Sequence, residues 1–73
     1  MWQDRIVFEK DVVVGKPFVK GTRITVDFVL DLLANGWSYE EIGSNYPQLT
    51  EQDIMACLEY ASSVIKDEKV LLI

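Results

Sequence analysis

The chain has 73 residues, 49% of them hydrophobic and 26% charged, with seven Lys plus Arg against twelve Asp plus Glu and a net charge of −5. One small globular domain fits these numbers and a second does not. With no His and a single Cys, the usual general base, a Cys/His zinc site and an internal disulfide are all excluded, and a hydrolase becomes improbable.

A domain this short buries only about 60% of the surface of its unfolded chain, so burial against another copy is the expected extra stabilisation, as a homodimer or higher oligomer. The N-terminal MWQDRIVFEKD scatters charge through its apolar positions, which excludes a signal-peptide core, and no apolar run approaches the roughly 18 residues of a membrane span. The expectation is a soluble, reduced, cytoplasmic protein that meets no membrane.

Charge divides the chain. Through Thr25, five basic residues (Arg5, Lys10, Lys16, Lys20, Arg23) face three acidic ones, a balance of +2; from Val26 on, two basic residues face nine acidic, a balance of −7. A mildly acidic total thus hides a basic front and a strongly acidic back, suited to different partners.

Residues 1–26 read as a β-rich basic segment. The runs Ile6-Val7-Phe8, Val12-Val13-Val14 and Arg23-Ile24-Thr25-Val26 are β-branched or aromatic and are broken by Gly15-Lys16-Pro17 and Lys20-Gly21. So few short strands must cover the helices or pair with the same strands of a second copy.

Residues 27–66 read as three helices. Asp27 starts the first, Val29, Leu30 and Leu33 form its apolar stripe, and Asn35-Gly36 stops it. Ser38 and Glu41 have capping-box spacing for a short second helix carrying Ile42, which Tyr46-Pro47 ends. Thr50 and Asp53 open the third, with Ile54, Leu58, Ala61 and Ile65 on its core face, running to about Lys66. Residues 67–73 end in the apolar tail Val70, Leu71, Leu72 and Ile73, which something should cover.

Two segments are candidate binding sites. The second and third helices, joined through Asn45-Tyr46-Pro47-Gln48-Leu49, form a helix-turn-helix-like unit whose outward face carries Gln52, Met55, Glu59, Ser62 and Lys66. Gln52 suits adenine, whereas Glu51, Asp53 and Glu59 repel phosphate, so a hairpin that only packs the core is the stronger reading. The basic segment 15–23 suits an anion better: in an extended chain Lys16, Phe18 and Lys20 share a face, and Gly21 allows close approach before Arg23. A solvated edge strand guarded by Lys and Pro has equal weight, and the glycine spacing is wrong for a nucleotide phosphate loop.

The carboxylate pairs Asp27/Asp31 and Glu40/Glu41 lack a third ligand and are accounted for by helix starts. Cys57 has no basic neighbour on its helix and reads as a small buried hydrophobe. Trp37 and Tyr39 flank Ser38, where they either staple the turn or anchor a partner. Gly43 within a helix implies either close packing or a weak helix. No catalytic residue, cofactor or metal is assigned, and the chain is not expected to be an enzyme.

The motifs Gly-Lys-Pro-x-x-Lys-Gly-Thr-Arg-Ile from Gly15 to Ile24 and Tyr-Pro-x-Leu-Thr-x-x-Asp-Ile from Tyr46 to Ile54 resemble those of the small bacterial family called domain of unknown function 433, and the likeness runs from Gly15 to Ala61. The resemblance implies a mainly α fold: a homeodomain-like, winged-helix-type three-helix core containing a helix-turn-helix, preceded by N-terminal strands. It also implies the antitoxin of a two-gene pair, which silences a PIN-like ribonuclease toxin and, with it, represses its own operator DNA. Beside that resemblance, Lys16, Lys20 and Arg23 are the anion-facing set, Gln52, Met55 and Lys66 the DNA-facing candidates, and Val70, Leu71, Leu72 and Ile73, with Trp37, candidate docking residues for the toxin. A stand-alone dimeric DNA-binding regulator is the alternative. The chain departs from the family pattern in lacking a Pro near Glu9-Lys10-Asp11 and in having Gly43 where a larger apolar residue is usual.

Overall fold

A computed structural model describes residues 2–9 and 15–68, with side chains to residue 66. The expected strand at Val12-Val13-Val14 and the tail Val70, Leu71, Leu72 and Ile73 lie outside the described residues. A 3-10 turn at Trp2–Asp4 leads into strand β1 (Ile6–Val7), then strand β2 (Phe18–Val19), helix α1 (Val26–Ala34), helix α2 (Tyr39–Asn45) and helix α3 (Glu51–Glu68). The molecule is mainly helical, with one two-stranded antiparallel sheet in which Ile6 pairs with Val19 and Val7 with Phe18.

The strands are shorter than their composition suggests. Phe8 leaves the ladder and lays its half-exposed ring 5.7 Å from that of Tyr60 on α3. At the other expected strand only Thr25 bridges to Phe18, because Thr25 is already the N-cap of α1 and accepts a hydrogen bond from the Phe28 N–H at 3.2 Å. The helix therefore starts at Val26 and not at Asp27, which lies within its first turn.

The expected stop and both later caps are formed. At the end of α1 the Gly36 N–H reaches the Leu33 carbonyl at 3.0 Å and the Trp37 N–H the Leu32 carbonyl at 3.1 Å, a Schellman closure that Gly36 permits at φ 90°. The Ser38 hydroxyl accepts from the Glu41 N–H at 3.1 Å, and the Ser38 N–H donates to Glu41 Oε1 at 2.7 Å. Thr50 and Asp53 repeat this exchange at 3.0 and 3.2 Å.

The core is built from Ile6, Val19, Val26, Val29, Leu32, Ile42, Leu49, Ile54, Ala56 and Cys57. On α1 the stripe is centred on Val26, Val29 and Leu32, with Leu30 and Leu33 partly buried beside it. On α3 the expected face is rotated: Ile54 is buried, but Leu58 is 37% and Ile65 70% exposed, while Asp53, Ala56 and Cys57 point inward. Burial of Ile54, Ala56 and Cys57 on one face also turns Asp53 inward, where its Oδ1 accepts from Arg5 Nη1 at 3.0 Å and its Oδ2 from the Thr50 N–H at 3.0 Å. Asp53 is therefore no outward carboxylate.

Cys57 is fully buried. Desolvation, and secondarily the Asp53 carboxylate, push its thiol from the ordinary 9.0 up to about 12. Gly43 needs no close packing: a Cβ there would meet nothing within 4 Å, so the glycine only weakens α2.

Candidate functional site

The basic segment folds as a clasp. Val19 and Thr22 close a tight turn through a Thr22 N–H to Val19 carbonyl bond of 3.0 Å, with Lys20 and Gly21 at its tip and Gly21 at φ 84°. The Thr22 hydroxyl locks the turn by donating to the same Val19 carbonyl at 2.8 Å and accepting from the Ile24 N–H at 2.9 Å. Backbone bonds from Lys20 to the Arg5 carbonyl, from Val19 to the Ile24 carbonyl and from Val26 to the Pro17 carbonyl attach the clasp to β1 and α1.

Lys16, Phe18 and Lys20 do not share a face. Phe18 is buried while both lysines are exposed, because β2 is only two residues long and the chain turns at Lys20. Lys16 Nζ donates to Asp27 Oδ2 at 3.3 Å, and both side chains remain 58% exposed. A hydrogen bond from Thr25, then the Lys16 charge, hold the Asp27 carboxyl below its ordinary pKa of 3.8. Lys20 and Arg23 are exposed, and among the described residues neither has an ion-pair partner. Two cations on a rigid, acid-free turn can meet phosphate or carboxylate oxygens without reorganising the backbone.

The α2–α3 corner differs. Gln52, Met55, Glu59, Ser62 and Lys66 are all exposed on the outer side of α3, as the periodicity requires. Met55 is nevertheless engaged, its sulfur accepting the Tyr39 hydroxyl at 3.2 Å, and Lys66 borders a shallow hollow with Trp2 and Glu59. Trp37 is half-buried against the core, 6.4 Å from Tyr46, and so staples the turn. Glu51 and Glu59 stay outward, where they oppose phosphate.

Among the described residues no group of three or more His, Cys, Asp or Glu could hold a metal ion, no buried side-chain N or O lacks a hydrogen bond, and no helix is long and apolar enough to cross a membrane. The residues that sequence reasoning missed are Arg5, Thr22 and Trp2. Trp2 stacks edge-on to Tyr60 at 4.9 Å, and like the Arg5–Asp53 bond this is a contact across most of the chain that no local spacing announces. Thr22 did carry a signal, since a Thr directly after Lys-Gly suits a side-chain-locked turn.

The family model described as "Protein of unknown function (DUF433)" matches residues 6–61. No functionally curated protein matches the chain. A crystal structure of a DUF433 member protein from Anabaena variabilis ATCC 29413 superposes with a TM-score of 0.81 at 28% identity, covering 89% of this chain and 64% of that one. This chain thus spans less than two thirds of the length of that relative.

Proposed function

The chain belongs to the DUF433 family, and we propose that it is an antitoxin-type binding protein that holds a PIN-like ribonuclease through its basic clasp and silences it. One observation carries the reading: Lys20 and Arg23 are exposed, and without an ion-pair partner among the described residues, on a turn locked by Thr22 in a chain whose net charge is −5. An acidic nuclease centre is a suitable counterpart for such cations, and preformed geometry lowers the ordering cost of binding. Lys16, neutralised by Asp27, supplies less of the attraction.

The test is to co-express the chain with the product of the adjacent reading frame, purify both, and assay RNA cleavage by that product. Co-elution with loss of cleavage is expected, and the double variant Lys20→Glu, Arg23→Glu should weaken the complex at least tenfold, roughly 1.4 kcal/mol or more, without altering the fold. Separate elution with cleavage unaffected overturns the proposal.

Operator binding by a homeodomain-like helix-turn-helix is the second reading, favoured by the capped α2–α3 corner and the exposed Gln52. In it two copies pair through the N-terminal strands. β2 is flanked by β1 and by the Thr25 bridge, so β1 is the strand whose outer edge would serve. Affinity for promoter DNA must then fall steeply with salt.

A further inference from the structure

An open apolar groove of about 380 Å³ runs between α1 and the C-terminal half of α3. Val26 and Leu30 line it from α1, and Tyr60, Ala61, Val64 and Ile65 from α3. Within it Val64 is 40% and Ile65 70% exposed, so hydrocarbon that could be buried is left in water. Lys16, Pro17 and Asp27 close its rim, while Lys20, Arg23 and the α2–α3 corner lie outside it.

We propose that the groove is the seat of the chain's own C-terminal segment, residues 69–73, with sequence KVLLI. Three observations select this occupant. The first is register: positions 61, 64, 65 and 68 follow i, i+3, i+4, i+7 spacing, so α3, which ends at Glu68, releases the chain on the side that Ala61, Val64 and Ile65 present to the groove. The second is reach: five residues extend up to roughly 16 Å, and from the end of α3 at Glu68 back along the helix axis it is about 5 Å to Ile65 and about 12 Å to Tyr60. The third is chemistry: Val70, Leu71, Leu72 and Ile73 are uncharged and apolar, and an apolar groove rewards burial without demanding directed hydrogen bonds.

Tethering makes so small a contact sufficient. A segment joined directly to the helix acts at an effective concentration on the order of millimolar, which a weak hydrophobic site can use. Nine lining residues still fall short of the roughly 20–30 residues a side of a standard protein interface, so a second copy is the poorer occupant.

The experiment compares the full chain, a chain ending at Glu68, and the full chain carrying Leu72→Asp, each checked for helicity by circular dichroism. Binding of the dye 1-anilinonaphthalene-8-sulfonate should be several-fold brighter for both altered chains, with all three sedimenting at the same mass. In the full chain, methyl nuclear Overhauser contacts should link Leu71 or Leu72 to Leu30 or Val64 and survive dilution. Equal dye binding by all three chains overturns the proposal, as does the absence of those contacts. A fall in mass on truncation identifies a second copy as the occupant. If truncation releases the nuclease while the groove resonances stay unmoved, the segment docks on that partner instead; this leaves the role of the clasp untouched, which is tested separately through Lys20 and Arg23.

Discussion

The clasp and the α2–α3 corner are each held by side chains bonded to nearby backbone, yet they differ in what remains after the structure is built. In the clasp, Thr22 satisfies the turn alone and Lys20 and Arg23 are left over as exposed cations. In the corner, Ser38, Glu41, Thr50 and Asp53 are all engaged in caps, Met55 accepts from Tyr39, and the exposed charges near the start of α3 are acidic. Both regions are closed by local hydrogen bonds, and among the described residues the clasp presents two cations without an ion-pair partner where the start of α3 presents acids.

The comparison breaks most sharply at Asp53. Asp53→Ala removes the cap of α3 and the partner of the part-exposed Arg5, and should cost about 2 kcal/mol in urea unfolding, with the clasp's partner affinity falling only through lost fold. Next comes Thr22→Val, which leaves the Ile24 N–H without its acceptor and should cost about 1.5 kcal/mol while loosening the clasp; amide exchange at Ile24 and Val19 would report it. Gly43→Ala acts on the corner alone and should stabilise it by about 1 kcal/mol, read as a raised melting temperature, since its Cβ enters open space.

The smallest effect belongs to Asp27→Asn, worth at most about 0.5 kcal/mol because the ion pair with Lys16 is exposed. Its pH dependence has a definite sign. The carboxyl titrates lower in the folded chain than its ordinary 3.8, so its contribution is present above that value and is lost as pH falls through the lower folded one. Unfolding curves of the parent and Asp27→Asn chains should therefore converge only in strong acid.

The elements legible in the sequence were those written in local signals: the Ser38–Glu41 and Thr50–Asp53 boxes at i, i+3 spacing, and the adjacent pairs Asn35-Gly36 and Tyr46-Pro47 that end α1 and α2. Cys57 as a buried hydrophobe was legible too. The rotation of α3 was not, because hydrophobic periodicity favoured the larger Leu58 and Ile65 over Ala56 and Cys57, and Arg5, the partner that meets the inward Asp53, lies 48 residues away. Of the candidate anion site, the cations Lys20 and Arg23 could be named in advance. That Phe18 turns inward while Lys16 is neutralised by Asp27 required the pairing of β2 with β1 and the start of α1 at Val26.

The buried thiol has a consequence for chemistry in the cell. With its pKa moved from 9.0 to about 12, Cys57 holds about a thousandfold less thiolate at neutral pH than a free cysteine, and it has no path to solvent while the core is closed. The thiol therefore stays silent toward electrophiles and oxidants so long as the molecule is folded, although the exposed Met55 thioether does not. Alkylation of that one sulfhydryl records an opening of the core that α3 closes.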